Sequence, residues 1–264
     1  MPNHTLQSAF DRCRRENRKA LVAYVTAGDP DLAATARLLP ALAAAGADIL
    51  EVGVPFSDPM ADGPVIQAAC QRALAAGATL PGILEMLRGI RDRLTAPVVL
   101  FSYYNVLLQY GIEKLAADSV AAGIAAWLVV DMPAEEAGEI EPALHKHGLC
   151  RITLLAPTTP PDRAARLAGA AKGFVYYITV TGVTGARSEL PADLAANLET
   201  LQKLSAVPVV AGFGISSPEQ ARTVAAHAAG VVVGSALVKL HAEAGADAAC
   251  RLVSDIARAL RSPA

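Results

Sequence analysis

Glu51 closes the apolar run Ile49-Leu50-Glu51-Val52-Gly53, and two further carboxylates follow it, Asp58 and Asp62, on a chain stiffened by Pro55, Pro59 and Pro64. An ionised carboxylate taken into an apolar strand loses several kcal/mol of hydration. Such a group is therefore paired, protonated or kept for chemistry. A strand end with acids held over it has the composition of an acid/base site. The plainer readings are that Glu51 serves an ion pair and that Asp58 caps a turn.

Other residues able to do chemistry fall at comparable places. Asp29, Tyr103, Tyr104, Asn105, Asp131 and Thr158 follow apolar runs, and Tyr176 lies within one. Lysine is absent from these positions: Lys19, Lys172 and Lys203 precede runs, and Lys114 and Lys146 sit in helical stretches. A Schiff-base mechanism needs a desolvated lysine and is disfavoured. The histidines are scattered, so no metal-ligand set emerges. Late in the chain, Gly182-Val183-Thr184-Gly185, Gly212-Phe213-Gly214 and Gly234-Ser235 follow three successive apolar runs. Backbone N–H groups at such turns approach anions closely, and a helix opening at Ser235 would aim its positive end there, which suggests a phosphate pocket.

The elements that must position these groups alternate regularly. Apolar runs suited to strands cover Ala20 to Thr26, Asp48 to Val52, Val98 to Ser102, Ala126 to Val130, Arg151 to Leu155, Phe174 to Ile178, Val207 to Ala211 and Gly230 to Val233. Alanine- and leucine-rich helical stretches separate them, with two after the second run, Val65 to Ala76 and Leu80 to Leu94. The pattern predicts a single (β/α)8 barrel over residues 1–264, with an extra N-terminal helix at Leu6 to Asn17 and additional helices after strands 2 and 8. A doubly wound open sheet is the alternative, and it usually carries fewer units. In a barrel the strand-to-helix loops converge over one mouth, where every candidate above belongs. Trp127 reads as core, and Asp131 either caps the following helix or orders the loops at the mouth.

Composition narrows the partners. Among 264 residues, 53% hydrophobic, 23 basic and 25 acidic side chains give a net charge of -2, so a large core can form and no basic footprint for nucleic acid appears. Charges or prolines interrupt each apolar run before it reaches membrane-spanning length, and the charged segment Asp11-Arg12-Cys13-Arg14-Arg15-Glu16 stands where a signal peptide would be apolar. Cys13, Cys70, Cys150 and Cys250 are widely spaced, as for reduced thiols in a cytoplasmic chain.

The segment from Leu50 to Pro64 resembles the tryptophan synthase alpha subunit family nearly residue for residue. Tyr24-Val25-Thr26-Ala27-Gly28-Asp29-Pro30, Tyr104-Asn105, Asp131-Met132-Pro133, Gly182-Val183-Thr184-Gly185, Gly212-Phe213-Gly214-Ile215 and Gly234-Ser235-Ala236 continue the resemblance along the chain. It implies a lyase that splits indole-3-glycerol phosphate into indole and glyceraldehyde 3-phosphate. It also implies that indole passes to a beta subunit in an α2β2 tetramer, that pyridoxal phosphate belongs to that partner, and that this chain binds no cofactor or metal. By the same resemblance Glu51 is the general acid/base, Asp62 supports the indole N–H, and Tyr176 is an active-site tyrosine. Tyr24, Tyr103, Thr184, Gly185, Phe213, Gly214, Gly234 and Ser235 would contact substrate, the glycines and Ser235 at its phosphate. Ala23, Thr179 and Val180 depart from the family pattern. A stand-alone indole-3-glycerol phosphate lyase and a catalytically idle allosteric partner are the competing readings.

Overall fold

A computed structural model describes residues 5–178, 193–212 and 214–261. Nine parallel strand segments form one sheet: β1 Ala20–Thr26, β2 Ile49–Gly53, β3 Val98–Ser102, β4 Ile124–Val129, β5 Cys150–Arg151, β6 Thr153–Leu155, β7 Val175–Ile178, β8 Val209–Gly212 and β9 Gly230–Val233. Their spatial order is β5-β4-β3-β2-β1-β9-β8-β7-β6. The two ends of that order are joined by Ile152 alone, whose N–H donates to the Trp127 carbonyl at 2.8 Å. β5 and β6 are thus two halves of the expected fifth strand, and the sheet closes into the (β/α)8 barrel.

Helices surround it: α1 Leu6–Arg15, α2 Leu32–Ala45, α3 Pro64–Ala75, α4 Leu80–Ile90, α5 Tyr104–Tyr110, α6 Ile112–Ala121, α7 Glu141–Lys146, α8 Pro161–Ala170, α9 Leu194–Leu204, α10 Pro218–Ala225 and α11 Ser235–Ala259. The pair α3 and α4 after β2 was expected. The expected helix after Pro133 is instead a 3-10 stretch, Ala134–Glu139, followed by the short α7. A further helix, α5, directly follows β3, where the polar and aromatic start Tyr103-Tyr104-Asn105 concealed it. The helix opening after the last strand and the one predicted beyond it form a single element, α11, whose helical geometry breaks at Gly245. Among the described residues no single helix is long and apolar enough to cross a membrane.

Strand alternation divides the core in two. Leu21, Ala23, Val25, Leu50, Val52, Val98 and Leu100 face the helices, whereas Val22, Ile49, Val99, Leu128, Phe174, Val210 and Val232 fill the barrel interior. Trp127 is fully buried in the outer layer, its indole N–H donating to Ser119 Oγ at 3.0 Å. α1 covers the N-terminal end of the barrel with Leu6, Ala9, Phe10 and Cys13, and the Phe10 and Phe174 rings pack 5.9 Å apart. Thr5 caps this helix by accepting from the Ser8 N–H.

One buried acid pins that end. Asp48 accepts from Arg18 at 2.6 and 2.8 Å, from Arg12 at 3.0 Å and from the Leu21 N–H at 3.0 Å. Desolvation alone would raise its pKa. The Arg18 guanidinium outweighs that effect, and the carboxyl is held below its ordinary range. Replacing Asp48 by Asn leaves the buried Arg18 guanidinium with only the exposed Glu16 as counter-charge and is expected to cost up to about 3 kcal/mol. Because the folded pKa is depressed, the contribution is present above the ordinary carboxylate range and lost as pH falls through the folded value. Urea unfolding of parent and Asp48→Asn should therefore differ at neutral pH and converge on strong acidification.

Candidate active site

The interior parity of β2 that buries Ile49 also turns Glu51 inward, one layer nearer the C-terminal mouth. In register, Glu51 is flanked by Tyr24 of β1 and Val99 of β3. It is 0% exposed, and among the described residues neither carboxylate oxygen has a hydrogen-bond partner. Burial pushes its pKa up to about 8. Near neutral pH the group therefore carries a proton that it can donate, and the conjugate carboxylate has a matched tendency to take one back. Among the described residues no cation pairs with Glu51, so they give the structural reading of it as an ion-pair partner no support.

The next inward position, Gly53, supplies room above it. A methyl group at Gly53 would lie 2.3 Å from the Tyr24 hydroxyl, so this glycine is what allows the Tyr24 ring to lie across β2. Tyr24 then meets Phe101 edge-on at 5.1 Å. Tyr176 lies across Gly212 on the opposite wall in the same manner. Burial raises both phenol pKa values well above their ordinary range, and the charges of Glu51 and Asp62 add to the effect at each ring. The two tyrosines thus stay neutral and face the same space as the two acids.

Asp62 is the second acid, buried at 6% exposure. Its Oδ2 accepts from the Tyr103 hydroxyl at 2.9 Å, and that hydroxyl in turn accepts from the Ala61 N–H at 3.0 Å. Desolvation raises the Asp62 pKa, and the Tyr103 hydrogen bond opposes that rise. The two acids therefore differ in kind: Glu51 is dry and unpartnered, Asp62 is hydrogen-bonded and aimed. The Phe56 and Tyr103 rings pack at 5.1 Å, which fastens the start of the acid loop to the same tyrosine.

The remaining acids have structural tasks. Asp58 bonds the Ser57 hydroxyl and, through its carbonyl, the Met60 N–H, as a turn residue does. Asp131 does not cap the segment after it; its Oδ1 accepts from the Tyr104 N–H at 2.8 Å, which ties the loop after β4 to the start of α5. Asp29 is held by Arg72 through two bonds of 2.8 and 2.7 Å.

Where the sequence suggests a phosphate pocket, Gly214 has φ +67 and leads to buried Ile215. The residue at the N-cap of α11 is Gly234, not Ser235; it makes no side-chain cap, and Ser235 is the first helical residue. The first-turn N–H groups of α11 are thereby available to an anion. Thr184, Gly185 and Phe213 lie outside the described residues, as do Thr179 and Val180. Phe101 was missed at the sequence level, although it shares the alternating parity of Val99. Its apolar setting concealed a place at the mouth.

A sequence model described as tryptophan synthase alpha chain matches residues 10–259. The chain is 53% identical over 256 residues to the tryptophan synthase alpha chain of Geobacter sulfurreducens, covering 97% of both. It is 48% identical over 236 residues to that of a Synechococcus species, covering 89% of this chain and 88% of the relative. Among solved structures, a chain of Mycobacterium tuberculosis tryptophan synthase superposes with a TM-score of 0.91 at 38% identity, over 97% of this chain and 98% of that one. The alpha subunit from Legionella pneumophila gives 0.89 at 38% identity, over 97% of each. With nearly its whole length matched in sequence and in fold, the chain belongs to the tryptophan synthase alpha chain family.

Proposed function

We propose that Glu51, Asp62 and Tyr176 carry the reaction of this family member, the cleavage of indole-3-glycerol phosphate to indole and glyceraldehyde 3-phosphate. The observation that carries the assignment is the burial of Glu51, with both oxygens unpartnered among the described residues, and its pKa raised to about 8. The neutral carboxyl gives its proton to indole C3, which turns the ring into an electron-accepting indolenine. The resulting carboxylate takes the proton of the glycerol hydroxyl beside the breaking bond. The carbon–carbon bond then breaks, its electron pair restores the indole, and the hydroxyl carbon becomes the aldehyde. Glu51 ends protonated as it began.

Asp62, oriented by Tyr103, accepts from the indole N–H and offsets the positive charge that the ring acquires. Tyr24 and Tyr176 line the space for the flat ring. Gly214, Gly234 and Ser235 receive the phosphate at the start of α11, with Thr184, Gly185 and Phe213 assigned to the same substrate by resemblance. The ring supplies the electron sink, so this pathway calls on no group beyond the chain's own side chains; in the family, pyridoxal phosphate belongs to the beta subunit.

The chain acts as one domain in the cytoplasm and assembles as an α2β2 tetramer. Met60, 80% exposed on the acid loop, and Leu108, 52% exposed on α5, present apolar groups beside the mouth, where the partner that consumes indole must dock.

Glu51→Gln should lower glyceraldehyde 3-phosphate release roughly a thousand-fold, with or without beta subunit and serine, while circular dichroism is unchanged. An undiminished rate would sink the assignment. In the parent, kcat/KM should fall on the alkaline side with a midpoint near 8. The stability test has a definite sign. The folded pKa of Glu51 is raised from 4.5 to about 8, so its contribution is lost progressively across that window as pH rises. Glu51→Gln should gain stability relative to the parent over that window and hold a constant difference above it. For the assembly, Met60→Asp or Leu108→Asp should weaken beta binding at least roughly ten-fold. Light scattering of the parent complex should give the α2β2 mass.

A further inference from the structure

α3 begins two residues after Asp62: Gly63 is its N-cap and Pro64 its first residue. Gln67, on the first turn, returns a hydrogen bond from Nε2 to the Asp62 carbonyl at 2.8 Å. The main chain that carries Asp62 is therefore an extension of this helix. The buried face of α3, formed by Ile66, Ala69 and Cys70, packs against Tyr24 and Val238.

The far end of α3 is held by Arg72. Its Nε donates to Asp29 Oδ1 at 2.8 Å and its Nη2 to Oδ2 at 2.7 Å, a planar fork that defines orientation as well as distance. Asp29 sits in the loop after β1, and this loop touches the helix directly. A methyl group on Gly28 would lie 2.4 Å from Ala78 Cβ and 3.3 Å from Ala73 Cβ. The Gly28 N–H donates to Thr35 Oγ1 at 3.0 Å, which fastens the loop to α2.

Magnitudes separate two roles for this pair. The Asp29 side chain is 6% exposed, but that of Arg72 is 43% exposed, so solvent screens the pair and its share of stability is small. Its geometric effect is large. At about 1.5 Å per residue, Arg72 lies roughly 12 Å along the helix from Pro64, and a tilt of about 5° moves the helix start by about 1 Å. A displacement of that size at a reacting group can cost on the order of a hundred-fold in rate.

We infer that Asp29 and Arg72 are positioning residues that act through α3 to hold Asp62 in place, an inference that rests on the assignment of Asp62 to the site. Neither residue needs to touch substrate, since both oxygens of Asp29 are engaged by the fork.

The test measures indole-3-glycerol phosphate cleavage by the full chain with its beta subunit. The variants are Arg72→Met, Asp29→Asn and the pair together, each with Asp62 intact and with Asp62→Asn. With Asp62 intact, each single variant should lower kcat roughly ten-fold or more, with little change in KM or in the thermal midpoint. The double variant should match the singles, and Arg72→Lys, which lacks the fork, should not restore the rate. In the Asp62→Asn background the same substitutions should cost nothing further. An equal loss in both backgrounds, a loss that tracks the thermal midpoint, or an unchanged kcat in Arg72→Met beside a crippled Asp62→Asn would each overturn the inference alone. Full activity in Asp62→Asn by itself would overturn the assignment of Asp62, and the inference with it.

Discussion

An acid that accepts no hydrogen bond from the described residues, enclosed by apolar strands, is the constraint on which the rest of this barrel turns. Such a group is tolerated only if the surrounding fold is stable without it and if the group can stay neutral. The barrel meets both conditions. Its interior is packed with valine, isoleucine and phenylalanine below Glu51, and its outer layer of leucine, alanine and Trp127 is continuous around the helices. The same apolar surroundings that make the carboxylate costly hold the proton in place near neutrality.

The two acids show how one mouth can house opposite electrostatic tasks. Glu51 accepts no hydrogen bond from the described residues, whereas Asp62 receives the Tyr103 hydroxyl on a loop fastened by Ala61, Phe56 and Gln67. Opposed environments push the properties of two like groups apart, which is the condition that the proposed division of proton exchange from charge stabilisation requires. The charged cluster at Asp48 belongs to a third category. There, two guanidinium groups and an N–H fully satisfy the acid, and its role is to join α1 to the strands.

Much of this was visible in the order of residues, because barrel strands alternate in a way that assigns each side chain a side. Glu51 could be placed inward from its run, and the glycine pairs after late strands marked where backbone had to come close. The strand ends were accurate to within a residue or two, and the doubled helix after β2 was foreseen. What escaped the sequence depended on contacts between segments distant along the chain. The break of the fifth strand at Ile152 reflects its neighbours on both sides, and the capping of α5 by Asp131 joins two loops. Asp29 read as a mouth acid because nothing local announces that Arg72 will claim it. The opening of a helix at Ser235 was legible, whereas its N-cap, Gly234, is assigned by the backbone alone.

The covering of the N-terminal end by α1 has a bearing on traffic. With Leu6, Ala9, Phe10 and Cys13 seated against the interior residues, that end offers a flat product no drain. Departure is directed toward the rim where Met60 and Leu108 stand exposed. A vessel stoppered at its base delivers what it makes to whatever is seated on its lip, so the direction of delivery is a property of the fold before any partner arrives.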